Sequence, residues 1–453
     1  MHHCTSKILI NTILILTIAS PSILFISNTW YDQQRIILIA VIALSTLIIL
    51  IEIDKFDVSV ATQTLLLAII AAGIISSIQS AEKIWGLTEV SLIVGCAAIS
   101  LSIRSIKERY EERIFLSIFF ICFIKIVQTL TAYLSFLVSD KAIFEQSLFF
   151  DGFSNIRFFG QLQTFTIPLL AIPLMAKEVQ QKKLPIKKIF FFFLATWWAI
   201  AFFNGTRGTI IGIFFSILAL PFITNYGKKW SLTQIKAVAL GGVIYWLFFK
   251  IISGSIHPSL EPTSTRSVTS LSLRDIIWRQ AFNIIFENPW FGIGPMNLSN
   301  TSNSNGVAAH PHQAVLQIAA EWGIPALIFC IILTAIYFAK SVNSANKEGC
   351  TVKTCVLAAI ISAAIQSMVD GIIVTPYSQQ LLAILLPLTL SKKNPNKEKI
   401  RSTKLLITLI LISSINLTSR IFLDQDRLKT TPQETLSFSG NLQPRFWCQG
   451  INL

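Results

Sequence analysis

"LTEVSLIVGCAAISLSIRSIKERYEERIFLSIFFICFIKIVQTLTAYLSFLV" occupies residues 87–138. Two apolar runs, 87–103 and 114–138, flank the charged decapeptide "RSIKERYEER" at 104–113. Each run is long enough to cross a bilayer as a helix, which takes roughly 17–25 apolar residues. The charges between them read as a loop that stays in water. One such hairpin fixes the fold class, and the rest of the chain repeats it.

Of the 453 residues 53% are hydrophobic and only 13% charged, and the mean hydropathy is +0.64. A water-soluble domain of that composition would expose far too much apolar surface. Apolar runs predict helices near 8–27, 36–51, 58–78, 87–103, 114–138, 158–176, 189–203, 208–224, 235–252, 324–339, 352–368, 372–390 and 405–423. The first run, Ile8 to Ile26, is too long for the apolar part of a cleaved signal and reads as a retained helix. The expected fold is therefore all-α and integral to the membrane, with about 12–13 transmembrane helices. Asp370-Gly371 and Pro376 make 352–390 the least regular stretch. The polar interval 253–312 is too long for a simple turn, and long loops of this kind are commonly functional. The chain thus divides into helices 1–252, a loop 253–323 bearing short interfacial helices, helices 324–423 and a tail 424–453.

Basic residues orient this chain. With the N-terminus inside, loops 52–57, 104–113, 177–188, 225–234, 340–351 and 391–404 are cytoplasmic and, with their edges, hold 19 Lys and 4 Arg. The opposite side holds 9 Arg and 4 Lys, and Lys125 falls inside a helix. The 253–312 loop and the tail then lie outside. Arginine presents a planar fork of donors that matches phosphate oxygens, so an outer side supplied with Arg and short of Lys suggests anion recognition. The net charge of +14 suits anionic lipid. Seven scattered cysteines without a C-x-x-C predict neither a disulfide framework nor a zinc site.

Four outer segments carry candidate chemistry. "FFNGTRGTIIG" (202–212) is a tight turn that places Arg207 at the membrane surface, either snorkelling or, with its flanking glycines, exposing backbone N–H groups to an anion. "SLSLRDIIWRQAFNIIFENPWFGIGP" (270–295) reads as an interfacial amphipathic helix with Arg274 and Arg279 near its start, where the helix N-terminus adds positive potential. "AAHPHQAVLQIAAEWGIPA" (308–326) holds His310 and His312, two of five histidines, held extended by Pro311. Gln313, Gln317 and Glu321 follow on one helical face. An imidazole there suits a general base or a donor to developing charge, and two histidines without a third ligand make a poor zinc site. "GFSNIRFFGQLQTFTIP" (152–168) adds Arg157, Gln161 and Gln163, and "VDGIIVTPYSQQ" (369–380) adds Asp370. No P-loop, dinucleotide fingerprint or basic–aromatic nucleic-acid pattern occurs, so neither cofactor nor nucleic acid is expected.

In this order, the external "TRG" turn, "SLR…W" leading to "ENPWFGIGP", and "HPHQAVLQIAAEWG" resemble the O-antigen ligase superfamily. It comprises lipopolysaccharide O-antigen ligases, O-antigen polymerases and bacterial protein O-oligosaccharyltransferases. The resemblance implies a C-type glycosyltransferase-like fold in the bacterial inner membrane. It also implies metal-independent transfer of a glycan from undecaprenyl pyrophosphate to an acceptor hydroxyl at the periplasmic face. By the same resemblance Arg207 and Arg274 bind the pyrophosphate and His312 activates the acceptor. Gln313 stands where the family usually has Asn, which keeps the amide on a longer side chain. "NIRFFGQLQTFTIPLL", "DGIIVTPYSQ" and the terminal "PRFWCQG" look more like the pilin-glycosylating branch than the ligases acting on lipid A–core. A transporter of lipid-linked sugars is the rival from another class. It should show internal repeats and charges deep in several spans, where only Lys125 and Asp370 stand out.

Overall fold

The computed structural model describes residues 2–27, 29–52, 58–139, 146–175, 184–256, 274–300, 309–347, 350–391, 403–429 and 445–447. Loops expected at 52–57, 177–188 and 391–404 lie largely outside the described residues, as do 257–273, 301–308 and most of the tail. Among the described residues every element is helical, and eight helices are long and apolar enough to cross a membrane. The chain is an all-α, multi-pass membrane protein, as its hydropathy predicts.

The main helices are α1 (His2–Ala19), α2 (Trp30–Ile51), α3 (Val60–Gln79), α4 (Lys83–Leu137), α5 (Ile156–Leu169), α6 (Leu184–Asn204), α7 (Arg207–Ile223) and α8 (Gly227–Ile244). After the long polar interval begins come α9 (Arg274–Glu287), α10 (Ala314–Trp322), α11 (Ile324–Lys347), α12 (Thr351–Gln366), α13 (Pro376–Leu385) and α14 (Thr403–Leu423).

The opening hairpin differs from its expected form. Residues 104–113 are helical, and α4 runs unbroken for 55 residues. Straight, it would measure about 80 Å. Yet the backbone N–H of Glu82, just before it, donates to Asn297 (2.9 Å), and Gln128 near its other end donates to the carbonyl of Ser22 beyond α1 (3.1 Å). Its middle meets the opposite end of the bundle, where Arg109 pairs with Glu52 (3.2 Å) and Lys107 donates to the Pro387 carbonyl (3.2 Å). The helix therefore folds back on itself and supplies two arms. The Ser102 and Ser105 hydroxyls donate to the carbonyls of Ile99 and Ser102 (2.8 and 2.7 Å), a back-bonding that bends helices without ending them.

Proline sets the other breaks. Pro168 lies inside α5, which stops at Leu169 although the apolar run continues. The carbonyls freed there are taken up by α8, from Trp230 to Pro168 (3.2 Å) and from Gln234 to Ile167 (3.2 Å). The predicted helix 372–390 starts instead at Pro376, its first-turn proline, and tightens into a 3-10 turn at Leu386–Thr389. Small residues allow close packing of α7 on α12. A Cβ on Gly212 would lie 2.4 Å from the Ser362 carbonyl, and Ser216 hydrogen-bonds Ser362 at 2.8 Å. Outward-facing Ile324, Ile328, Ile331 and Ile332 leave α11 with an apolar exposed face, as contact with lipid requires.

Candidate functional site

Opposite the basic loops, three helix starts converge. Asn155 caps α5 by accepting the Arg157 N–H (2.9 Å), which sets Arg157 in the first turn. Asn204 ends α6 and donates to the Ile156 carbonyl (3.2 Å), while Thr209 in α7 donates to the Gly160 carbonyl (2.8 Å). These bonds strap the 204–207 turn against α5. Gly205 adopts φ +68°, a left-handed conformation that favours glycine. Arg207, the first residue of α7, is exposed. Arg274 opens α9, and Trp278 one turn later donates to the Pro311 carbonyl (3.0 Å). That bond docks the helix carrying Arg274 onto the stretch carrying the histidines.

His310 and His312 form an edge-to-face pair with ring centroids 4.1 Å apart. The His312 N–H donates to His310 Nδ1 (3.3 Å), so that nitrogen carries no proton. Gly371 backs the His310 ring so closely that a Cβ there would lie 2.3 Å from Cε1. His312 takes φ +54°, a left-handed conformation uncommon outside glycine, and its buried Nδ1 has no hydrogen-bond partner among the described residues. The Ala314 N–H donates to the Ser367 carbonyl (2.9 Å), which ties the following helix to the end of α12.

The charges act on one another. Burial lowers the His312 pKa most and Asp370 opposes that, but Arg157 and Arg274 add to it, leaving the imidazole at about 4. His310 is held well below its ordinary value by burial, then by His312, Arg445 and Arg157. Arg274 is lowered by burial and Arg157, against Asp370, with Arg207 adding. Both rings are therefore neutral at pH 7. The structure thus brings Arg157, Arg207, Arg274 and His312 into one electrostatic unit.

Other residues singled out from the sequence sit differently. Arg279 is exposed, and five residues after Arg274 it lies about 140° round the helix. Gln313 is the N-cap of α10, its side chain accepting the Leu316 N–H. Glu321 is fully buried, with both carboxylate oxygens engaged by Arg445 (2.6 and 2.7 Å).

Asp370 lies in the gap between α12 and α13 and accepts from Gln161 (3.1 Å), Gln366 (2.9 Å) and the Gly371 N–H (2.8 Å). Gln161 in turn accepts from Thr375 (2.6 Å) and Ser378 (3.0 Å). The interrupted apolar run at Asp370-Gly371 marked this position, but the sequence offered nothing that tied Gln366 to it. Among the described residues no three His, Cys, Asp or Glu side chains are grouped so as to hold a metal ion.

Residues 190–331 match the family model described as O-Antigen ligase, which bears out the resemblance over that segment. The match spans α6 through the first third of α11 and includes Arg207, Arg274 and both histidines. The matched segment is about a third of the chain. No curated protein matches the chain.

Proposed function

We propose that the chain transfers a glycan from undecaprenyl pyrophosphate to an acceptor hydroxyl, at the periplasmic face of the bacterial inner membrane and without a metal ion. The observation that carries this reading is the convergence of Arg157 and Arg274 on the neutral ring of His312, with Arg207 acting on Arg274. Pyrophosphate is already a good leaving group, so the site needs fixed positive charge and alignment rather than a covalent nucleophile.

The guanidiniums bind the pyrophosphate and hold its charge as it leaves. His312 takes the acceptor's proton, the acceptor oxygen bonds to the anomeric carbon, and the bond from that carbon to the phosphate oxygen breaks. Undecaprenyl pyrophosphate departs with the electron pair. Asp370, fixed by two amides, offsets part of the arginines' mutual repulsion before the donor arrives. His310 receives the His312 N–H and holds its backbone. Gln313 and Glu321 serve the site through structure, as cap and anchor, and Arg279 meets the glycan at the rim.

For the acceptor we favour a protein hydroxyl of the pilin type over lipid A–core. The three segments that suggested that branch lie in one contiguous network. Gln161 of the first bonds Thr375 and Ser378 of the second. Arg35 bonds Gln379 (2.7 Å), the Val374 carbonyl (3.2 Å) and the Phe446 carbonyl (3.2 Å) of the third. Purified protein, undecaprenyl-pyrophosphate oligosaccharide and EDTA, offered pilin or lipid A–core, test the proposal. Product on pilin supports it, and product on core lipid alone makes the enzyme an O-antigen ligase. Donor moved across vesicles with no product on either would indicate a transporter.

A further inference from the structure

Arg445 stands near the end of the chain, yet its side chain is among the most deeply buried. Its guanidinium donates to both oxygens of Glu321 (2.6 and 2.7 Å) and both oxygens of Glu89 (2.7 and 2.7 Å). Nη1 also donates to the carbonyl of Ala309 (3.5 Å). Ala309 directly precedes His310, and Glu321 lies at the far end of α10, so one side chain pins both ends of the segment that carries the two histidines.

The flanking residues form a built dock. The Arg445 carbonyl accepts from Tyr31 (2.8 Å), the Phe446 carbonyl from Arg35 (3.2 Å), and Trp447 donates to Asp424 (3.0 Å). Phe446 packs between the Arg35 guanidinium (5.1 Å to the ring centroid) and Trp85 (6.0 Å). A merely packed tail would need none of these polar fits.

We propose that Arg445 is a positioning residue for transfer, setting the His310–His312 stretch against Arg157 and Arg274 by holding Ala309 and Glu321 to Glu89 on α4. This rests on the reading of His312 as the base. The charge balance around Arg445 gives the proposal a specific signature. Two buried carboxylates share one guanidinium, so removing it leaves Glu89 and Glu321 facing each other. Burial already raises the Glu321 pKa against the opposing effect of Arg445. Without Arg445 the pair must take up a proton to remain together, and it separates when that proton is lost. The charged and titratable groups around it are Glu89 on α4, Glu321 on α10, Tyr31 and Arg35 on α2, and His310.

The test uses the full chain, purified as wild type, Arg445→Gln, and Arg445→Gln with Glu321→Gln. Diethyl pyrocarbonate modification of His310 and His312 is followed by peptide mass spectrometry from pH 5 to pH 9, beside transfer kinetics. In folded Arg445→Gln the imidazoles should react at least about tenfold faster at alkaline pH, because losing one member of a buried ion group frees its partners. Turnover should fall by up to about 100-fold, the cost of a misplacement of about 1 Å. The donor's apparent affinity should change little, since its arginines are untouched. Both defects should shrink toward acid pH, and the double variant should recover much of the loss at every pH. Wild-type imidazole reactivity in a folded Arg445→Gln, or a defect that neither acid nor the second substitution relieves, overturns the proposal. If the imidazoles respond as expected while the wild type transfers no glycan, the positioning role stands and the transfer reading fails.

Discussion

The imidazole of His312 should titrate near 4 in the free protein and return to the neutral range when pyrophosphate binds. Its ordinary value is 6.5. The gap down to about 4 corresponds to about 3.5 kcal/mol against the imidazolium, at about 1.4 kcal/mol for each pKa unit. Burial is the largest cause, Asp370 opposes it, and Arg157 and Arg274 add to it. A base so weak removes protons poorly until an anion binds beside it. A phosphate charge about 6 Å from the ring contributes about 3 kcal/mol at an effective dielectric of about 20. One such charge offsets most of the depression, and a pyrophosphate brings about two.

Histidine-labelled protein in detergent, followed by NMR with and without undecaprenyl pyrophosphate, reads this directly, with His312→Gln to assign the resonance. Kinetics give a second reading. The acid limb of kcat/KM, which reports the free enzyme, should lie near pH 4, and that of kcat should lie about two pH units higher. A His312 that titrates near 6.5 without donor, or that fails to move on adding it, would refute the account of the base. Stability follows the same sign. The folded state holds His312 below its unfolded value, so the unfolded chain binds more protons as pH falls from 6.5 toward 4. The contribution of His312 to stability is intact above pH 6.5 and is lost through that window.

Replacing His312 with Ala should abolish transfer while lipid-linked donor still binds; loss of donor binding would reassign the residue to the anion site. Arg274→Lys should lower transfer by about 100-fold, because a point charge does not replace a planar fork, and near-normal activity would show that the site needs charge alone. Gly371→Ala sets a Cβ 2.3 Å from His310 Cε1, so it should destabilise the fold by about 1–3 kcal/mol and slow transfer, both read by thermal melting beside the assay. Trp278→Phe keeps the ring and removes the bond to the Pro311 carbonyl. It should cost about 1 kcal/mol and uncouple Arg274 from His312, seen as a smaller pKa depression of that imidazole.

Hydropathy fixed the spans because each must bury its backbone polarity internally, and a helix of about 20 apolar residues is what does so in lipid. The α4 hinge escaped it. A charged decapeptide between apolar runs looks like a loop, but Ser102 and Ser105 bend the helix while Arg109 finds Glu52 and Lys107 finds the Pro387 carbonyl. None of those partners is adjacent in sequence. Arginine and histidine types on a common side of the membrane were readable too, and the structure sets Arg157 and Arg274 to act on His312, and Arg207 on Arg274. Arg279 shows what helical spacing alone could have decided, since a step of five residues turns it from Arg274's face. Glu321 shows the opposite case. On its own helix it continues a polar stripe with Gln313 and Gln317, and only a partner 124 residues away discloses that it anchors the tail.

The distribution of these charges sets what the arrival of an anion would change. Three arginines gathered without a ligand repel one another, and burial of Arg274 adds to the cost. Asp370 offsets one of them, and it keeps that role because Gln161, Gln366 and a backbone N–H satisfy its carboxylate. The remaining excess of positive charge falls on His312, which responds by staying neutral. A pyrophosphate therefore does two things at once when it enters, relieving the repulsion and restoring the basicity of the ring beside it. By linkage the same coupling runs in reverse, so Arg157→Gln should weaken donor binding and raise the His312 pKa together. A variant that changed one and left the other fixed would show that the arginines and the imidazole, though neighbours, do not work as one site.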